Sequence, residues 1–422
     1  MPYFIGGVTA DYRDLIARTP GQFRKKNRVE VLTRHRVTSI DPENRRVRVV
    51  DLDGGGESWS AYTKLLIATG ASAFVPPVPG TGLTGVFTLR KLEHSIAIKE
   101  FLRSARPGRA VVVGAGPIGV EMCEAFRGAG LEVTAVEMAD RVMPLMDADL
   151  SSAVQAHLES MGVTCVTGVR VEALTGDGSG MARAVATTAG ELPADMVLLA
   201  IGIRPVTDIA AEAGVEPGAM GAIRVDGRLR TNLPDVFAAG DCATTTNLVT
   251  GRETWIPLGS TARKQGRLAA DNMFGADLEF PGVQGTSVVK AFDLTVGRTG
   301  LSEAEALEAG FSPGVVDVEA EALHSYYGQG GRIRLKVVAD RDTGRLLGAQ
   351  VIGDMASAAE KRLDVLAVAV RAGLTADDLQ YLDLAYAPPY STAVDATIVA
   401  GNLLAAKILG KPCSCTVEGL EL

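Results

Sequence analysis

The stretch Val111–Gly119 reads VVVGAGPIG and decides the fold of its part of the chain. A short apolar run ends in a Gly-x-Gly-x-x-Gly turn at Gly114, Gly116 and Gly119, and helical spacing follows. The first glycine allows a tight turn, the second lets backbone N–H groups approach a pyrophosphate, and the third permits close helix–strand packing. The helix N-terminus adds donors and a positive dipole end. This context predicts a dinucleotide-binding unit rather than an ordinary glycine-rich turn.

Glu137 lies 18 residues after Gly119, at the predicted end of the next strand. A carboxylate at that place accepts hydrogen bonds from the adenosine ribose hydroxyls and repels a 2′-phosphate, so it favours NAD over NADP. Arg141 is close enough in sequence to leave NADP open. A capping or surface acid is the alternative interpretation of Glu137.

Two other predicted strand ends carry groups suited to a second nucleotide. Residues 66–70 read LIATG and residues 237–241 read FAAGD. Thr69 and Gly70 fall where the chain leaves one nucleotide domain. Asp241, directly after Gly240, places a carboxylate where it can bond a sugar-alcohol hydroxyl. A plain strand followed by a turn aspartate is the alternative.

The rest of the chain alternates short apolar runs with segments of helical spacing, which predicts an α/β fold with ligands at the carboxyl ends of parallel strands. The predicted helices are Asp11–Lys26, Glu121–Ala129, Leu150–Met161, Ala262–Phe274 and Ala358–Ala372. The predicted strands are Val29–Val37, Val47–Leu52, Lys64–Ala68, Ala110–Val113, Leu131–Val136, Met196–Ile201, Ser287–Phe292, Arg332–Val338 and Leu346–Ile352.

Composition narrows the class of protein. The 422 residues suggest about three domains. A net charge of −8 without a basic block argues against a nucleic-acid partner. No apolar run approaches the ~18–20 residues that span a bilayer, and no secretion signal opens the chain. Five scattered cysteines favour a reducing cytoplasm and suggest no metal site; they are Cys123, Cys165, Cys242, Cys413 and Cys415. A redox or metal role for the last two is the less favoured interpretation.

Taken together, these motifs resemble the pyridine nucleotide–disulfide oxidoreductases, most closely the coenzyme A-disulfide reductase and NADH oxidase-like branch. The resemblance runs from Pro2 to about Gly401. Its most specific segments are Pro2–Gly7, Trp255–Leu258, Gln265–Asn272, Lys361–Leu366 and Ala385–Ser391.

The resemblance implies two Rossmann-like three-layer nucleotide-binding domains and a C-terminal α+β dimerisation domain. The FAD-binding domain would be incomplete and split into residues 1–85 and 205–285. The NAD(P)-binding domain would occupy residues 86–204, and the dimerisation domain residues 286–422. A homodimer is implied.

The resemblance also implies FAD and NAD (or NADP) as cofactors. Asp241 would bind the ribityl–phosphate region of FAD, and the Thr69-Gly70 turn would lie close to the same cofactor. Tyr326 and Tyr386 match two tyrosines that the family places near the redox sulfur of the partner subunit. A phenol there can donate a proton to a leaving thiolate. Packing at the dimer interface is the alternative for both tyrosines, and Tyr327 is a weaker candidate for the first.

The expected function is hydride transfer from NADH to flavin and then to a cysteine-linked disulfide or persulfide of the coenzyme A type. An NADH oxidase reducing oxygen is one alternative, and an inactive nucleotide-binding fragment is another. Two positions depart from the family pattern. Pro117 stands where an aromatic gate over the flavin is common, and Val394 stands where CoA-type members tend to carry lysine.

The start of the chain carries a further expectation. The family places a redox cysteine just before Gly-x-Pro-Tyr, whereas Pro-Tyr is residues 2–3 here. We expect Met1 to correspond to that internal position, an N-terminal strand–helix–strand unit to be missing, and FAD not to be held stoichiometrically. We expect no cysteine of this chain to replace the nucleophile.

Overall fold

The computed structural model describes residues 1–324, 326–328 and 330–410. The helices are α1 Pro2–Ile5, α2 Pro20–Asn27, α3 Leu92–Ala105, α4 Pro117–Gly128, α5 Ala148–Ser160, α6 Asp208–Glu212, α7 Gly259–Met273, α8 Glu303–Ala309, α9 Ala359–Ala372, α10 Ala376–Leu379 and α11 Ala396–Leu409. Short 3₁₀ turns occur at Tyr12–Leu15, Ala219–Gly221 and Met355–Ser357.

Within the described residues the strands fall into seven sheets. They are β1 His35–Asp41, β2 Arg46–Asp51, β3 Glu57–Ala61, β4 Leu65–Ile67, β5 Ala71–Ala73, β6 Val86–Thr88, β7 Arg109–Val113, β8 Glu132–Val136, β9 Val163–Val166, β10 Val171–Gly176, β11 Ala182–Thr187, β12 Gly190–Pro193, β13 Met196–Leu199, β14 Ile203–Pro205, β15 Val236–Ala238, β16 Thr245–Thr246, β17 Glu253–Thr254, β18 Ser287–Ala291, β19 Leu294–Gly300, β20 Pro313–Glu321, β21 Arg332–Asp340 and β22 Leu346–Asp354. The mixture is α/β, as predicted.

The described chain divides into two compact units. Unit 1 comprises Met1–Val8, Val75–Gly202 and the described residues from Gln284 onward, and unit 2 comprises Thr9–Phe74 and Ile203–Val283. Unit 1 therefore contains most of the predicted NAD(P) segment and the predicted dimerisation segment. The four-part domain division stays a prediction.

A parallel five-stranded sheet organises the first part of unit 1. Its order is β6-β13-β7-β8-β9, and every neighbouring pair is parallel. The four residues Ala110–Val113 of β7 are buried, which is typical of a central strand covered on both faces. Helix α4 packs on β7 and β8, and its Phe126 is fully buried. This packing fixes the strand ends that carry the glycine turn.

The second part of unit 1 is an antiparallel sheet. Its order is β18-β19-β22-β21-β20, with α9 packed on β22 and β19 and α11 packed on β20 and β21. Arg362 of α9 and Asp395, which precedes α11, form an ion pair at 2.9 Å with side-chain exposures of 3% and 8%. Asp395 also caps α11 by accepting from the backbone N–H of Thr397. A buried pair of this kind fixes where α11 begins.

Unit 2 holds shorter sheets. Strands β1, β2 and β3 form an antiparallel meander, β5 pairs with β14, and β16 pairs with β17. Strands β4 and β15 run parallel, with Leu65 opposite Val236 and Ile67 opposite Ala238. Helix α7 packs against β15. The carboxyl ends of this parallel pair carry the FAD residues predicted from the sequence.

Several predicted boundaries were wrong, and some helices were missed. The helix predicted over Asp11–Lys26 is broken, because proline disfavours helical geometry at the residue before it, and α2 starts only after the capping box of Thr19. The strand predicted over Val29–Val37 begins at His35, after Arg34 adopts a left-handed φ of 61°. Helix α4 begins at Pro117 rather than Glu121, because proline suits the first helical turn. Helix α11 was not predicted.

Candidate functional site

The three glycines of the turn have distinct surroundings. Gly114 adopts a φ of 99°, and a Cβ there would lie 2.5 Å from the carbonyl oxygen of Ala200. A Cβ on Gly119 would lie 1.9 Å from the carbonyl oxygen of Gly114. Gly116 precedes α4 as its N-cap, and a Cβ there would meet nothing within 4 Å. The turn is therefore sterically closed at its first and third glycines and open at its second, where a pyrophosphate would approach.

Glu137 follows β8 and faces this turn. Its Oε2 accepts a hydrogen bond from the backbone N–H of Ala115 at 2.8 Å, and its Oε1 accepts from Ala139 at 3.0 Å. The carboxylate is thus fixed beside the glycine turn by two backbone donors. Carboxylate oxygens have further lone pairs, so the same group can still accept from ribose hydroxyls.

Arg141 is engaged by its neighbour. Its Nε lies 3.1 Å from the Oδ1 of Asp140, and about a third of its side chain is exposed. Asp140 is largely exposed, and an ion pair with an exposed acid is weak, so Arg141 leaves NADP open. The preference for NAD stays a prediction.

The carboxyl ends of β4 and β15 bring Thr69, Gly70, Gly240 and Asp241 to one edge of unit 2, since the two strands are parallel and in register. Gly70 and Gly240 both have positive φ, 69° and 83°, and a Cβ on Gly70 would meet nothing within 4 Å. The hydroxyl of Thr69 donates to the carbonyl oxygen of Val206. The edge is built largely of backbone turns.

Two side chains that the sequence reasoning gave no role support this edge. Gln265 of α7 is buried; its Oε1 accepts from the N–H of Gly240 at 2.9 Å, and its Nε2 donates to Thr244. Trp255 donates from Nε1 to the carbonyl oxygen of Asp241 at 2.9 Å. Both residues fall in segments that carried the family resemblance, which was the available signal.

The cysteines within the described residues are poorly suited to nucleophilic chemistry. Cys123 and Cys242 are buried, and the thiol of Cys242 lies against the carbonyl oxygens of Ile67 and Ala239. Burial raises the pKa of Cys123, and it raises the pKa of Cys165 to about 11. Thiols held protonated by burial are weak nucleophiles. Cys413 and Cys415 lie outside the described residues.

The two predicted catalytic tyrosines are brought together by a histidine in the second part of unit 1. The ring of His324 stacks on Tyr326, with centroids 5.1 Å apart and planes 15° apart, and meets Tyr386 edge-on at 5.9 Å. Desolvation and then a side-chain hydrogen bond with Tyr386 raise the pKa of Tyr326. Both phenols remain exposed, at 71% and 49%. We call His324, Tyr326 and Tyr386 the aromatic cluster.

The predicted residues thus form three groups. The glycine turn with Glu137 is one, the edge carrying Thr69, Gly70, Gly240 and Asp241 is the second, and the aromatic cluster is the third. Nothing in the sequence assigned a role to His324. The contacts of His324 with Tyr386 and Ala393 join segments some 60 residues apart, and no local sequence pattern reveals such contacts.

Family models match both halves of the chain. Residues 6–266 match the pyridine nucleotide-disulphide oxidoreductase family, and residues 286–398 match the dimerisation domain of that family. The chain belongs to this family. The second match supports a homodimer.

Individual relatives agree with that assignment. The chain is 36% identical over 407 residues to the NAD(P)H coenzyme A polysulfide/persulfide reductase of Pyrococcus horikoshii, covering 96% of this chain and 88% of the relative. The NAD-dependent persulfide reductase of A. fulgidus superposes with a TM-score of 0.92 at 39% identity, covering 97% and 76% of the two chains. The reduced CoADR-RHD of Bacillus anthracis superposes with a TM-score of 0.93 at 35% identity, covering 97% and 73%.

Proteins of this family use FAD and NAD(P)H. The unit 2 edge fits a flavin nucleotide, because two positive-φ glycine turns, of which the one at Gly70 is open, and the half-buried Asp241 lie at the carboxyl ends of parallel strands. Helix α7, 15 residues long, begins at Gly259 without a side-chain cap, which leaves its first N–H groups for an acceptor. Asp241 and the turns at Thr69-Gly70 and Gly240 would hold the flavin nucleotide.

Among the described residues, no helix is both long enough and apolar enough to cross a membrane. No group of three or more potential metal-ligating side chains occurs among them.

Proposed function

We propose that this chain is an FAD-dependent NAD(P)H oxidoreductase that reduces a disulfide or persulfide of the coenzyme A type. The observation that carries the proposal is the pair of exposed, hydrogen-bonded phenols, Tyr326 and Tyr386, on a dimerisation domain in a chain with a dinucleotide turn. The relatives named as CoA-dependent persulfide and disulfide reductases support the substrate class.

The overall reaction is balanced by two electrons. A disulfide, NADH and one proton give two thiols and NAD⁺; a persulfide gives one thiol and hydrogen sulfide. The bound flavin and nicotinamide supply hydride chemistry. The protein supplies the positions of the groups and the protons.

The glycine turn and Glu137 would bind the dinucleotide. The open side of Gly116 admits the pyrophosphate to the start of α4, whose dipole favours the negative charge. Glu137, held by Ala115 and Ala139, would orient the adenosine ribose. This arrangement places NADH by backbone geometry rather than by flexible side chains.

The aromatic cluster would act on the sulfur that leaves. When the sulfur–sulfur bond of the substrate breaks, the departing sulfur carries the electron pair as a thiolate. A phenol O–H hydrogen-bonds this thiolate and transfers its proton to give a thiol and a phenolate. A phenol whose pKa is at or above the ordinary tyrosine value is protonated at neutral pH, so Tyr326 holds a proton to donate, and water returns a proton to the phenolate afterwards. A homodimer would present the cluster to the partner subunit, and a reducing cytoplasm is the location we propose.

The test uses the full purified chain supplied with excess FAD under anaerobic conditions, and the flavin absorbance of the separated protein tests the expectation that FAD is not held stoichiometrically. We expect NADH oxidation to depend on coenzyme A disulfide or persulfide and to release thiol. Tyr326→Phe and Tyr386→Phe should lower kcat, whereas Tyr381→Phe, an exposed tyrosine outside the cluster, should not. Turnover that is absent with every disulfide and persulfide would overturn the proposal.

Oxygen is the second candidate oxidant, and one observation favours it. Pro117 is exposed at the start of α4 and brings no aromatic ring to that position. Rapid consumption of oxygen with NADH, at a rate that added disulfide does not change, would identify an oxidase instead.

A further inference from the structure

His324 connects two chain segments that each carry one of the tyrosines. It precedes Tyr326 by two residues in the segment between β20 and β21, and its ring contacts Tyr386, which lies between α10 and α11. The contact with Tyr326 is a parallel stack and the contact with Tyr386 is edge-on. Both arrangements are favourable for aromatic pairs.

A hydrogen bond adds a second connection. The Nε2 of His324 accepts from the backbone N–H of Ala393 at 3.2 Å. A backbone N–H only donates, so Nε2 carries no hydrogen and the neutral ring holds its proton on Nδ1. His324 is therefore an acceptor that fixes the segment bearing Tyr386.

Both segments are held by the same buried side chain, that of Arg362. Arg362 donates from one terminal nitrogen to the carbonyl oxygen of Ala322, two residues before His324, and forms its ion pair with Asp395, two residues after Ala393. Arg362 therefore fixes one segment at Ala322 and the other at Asp395, whereas the phenols of Tyr326 and Tyr386 are exposed. The orientation of the phenols then depends on the contacts of His324.

We propose that His324 is a positioning residue that sets the relative geometry of the Tyr326 and Tyr386 phenols chiefly through the hydrogen bond that its Nε2 accepts from Ala393, with its ring contacts in a lesser part. The inference rests on the proposed function for its catalytic consequence, but the geometric claim stands independently. His324 does not itself exchange a proton with the leaving thiolate. It keeps one phenol hydrogen-bonded to the other, so that a proton donor is oriented when the thiolate forms.

Two variants separate the parts of this role. His324→Phe keeps an aromatic ring but removes the acceptor for Ala393. His324→Gln keeps an acceptor near the position of Nε2 and loses the ring. Thr392→Ala is the matched control, because it removes a hydrogen bond of the same loop, from Thr392 to Val394, without touching the ring of His324.

The first measurement needs no turnover. The chain has eight tyrosines; with ¹³C at the phenol carbon, Tyr326 is assigned by its loss in Tyr326→Phe and titrated by NMR. We expect the Tyr326 midpoint to fall toward the ordinary value in His324→Phe and to stay at the wild-type position in His324→Gln and Thr392→Ala. An unchanged midpoint in His324→Phe, or an equal fall in Thr392→Ala, overturns the inference.

The second measurement is steady-state kinetics of the FAD-loaded chain. We expect His324→Phe to lower kcat for disulfide reduction by roughly tenfold or more, with KM for NADH unchanged, because misplaced catalytic groups lose rate rather than cofactor binding. His324→Gln should recover most of that rate. In a Tyr386→Phe background His324→Phe should add no further loss; an additive loss contradicts the inference. If the wild type reduces no disulfide, the proposed function fails, while the NMR titration still decides the geometric claim.

Discussion

The glycine turn and the aromatic cluster are built in opposite ways. The turn is made from nine consecutive residues, Val111–Gly119, which begin on a buried parallel strand. Backbone carbonyl oxygens lie so close to Gly114 and Gly119 that an added methyl group would collide with them. The cluster is made from two segments joined by ring contacts, by one hydrogen bond and by the buried Arg362, which binds both Ala322 and Asp395. A site on a sheet edge is precise because its scaffold is rigid; a site on loops needs positioning residues.

The largest effect should come from the buried Arg362–Asp395 ion pair that holds the segments of the aromatic cluster. Asp395→Ala leaves the buried Arg362 guanidinium without its partner and removes the cap of α11. We expect the free energy of unfolding to fall by about 3–5 kcal/mol, as measured by urea denaturation. Asp383→Ala, which alters an exposed aspartate between α10 and α11, is the control. A loss below about 1 kcal/mol would show that the pair does not organise this region.

Substitutions at the second and third glycines of the turn should have different effects on stability and on NADH binding. Gly119→Ala places a Cβ against the carbonyl oxygen of Gly114 and should cost about 1–3 kcal/mol of stability. Gly116→Ala meets no protein atom, so it should leave stability within about 1 kcal/mol and instead weaken NADH binding. Denaturation and fluorescence titration with NADH give the two quantities. Equal stability losses would contradict the distinction between a closed third glycine and an open second one.

Cofactor preference should depend on Glu137. Glu137→Gln removes the negative charge and keeps an oxygen that can accept from Ala115 or Ala139. We expect the ratio of kcat/KM for NADPH to that for NADH to rise roughly tenfold, about 1.4 kcal/mol. Glu172→Gln, which alters an exposed glutamate of β10, provides the comparison. An unchanged ratio would mean that Glu137 only holds the turn.

The smallest effect should be a pH dependence of the folding stability, caused by Glu121 in α4, the helix that follows the turn. Burial raises the pKa of Glu121, which accepts a hydrogen bond from Tyr3. A raised folded-state pKa favours the protonated side chain, so the associated stability is present below the unfolded pKa and is lost as pH rises through the folded pKa. Glu121→Gln should therefore gain stability relative to wild type at pH 7 but not at pH 4, by less than about 1 kcal/mol. Denaturation at both pH values measures this, and an equal change at the two contradicts it.

Much of the fold was predictable, for reasons visible in particular elements. The strand β7, the turn and helix α4 follow from an apolar run, three spaced glycines and helical periodicity, which are local signals. The helix predicted across Asp11–Lys26 failed because a single proline with its cap outweighed the periodicity. Helix α11 was not found, since its apolar residues surround the helix instead of marking one face.

The sequence alone determined the dinucleotide turn, the acid that follows it and membership of the family, because each depends on residues whose spacing along the chain fixes their spacing in space. Only the tertiary structure placed Glu137 on the N–H of Ala115, Gln265 on Gly240 and His324 between Tyr326 and Tyr386. Apart from the His324–Tyr326 stack, those contacts join residues at least 22 positions apart in the sequence. Their geometry is set by the packing of sheets and helices, and no local pattern of residues encodes it.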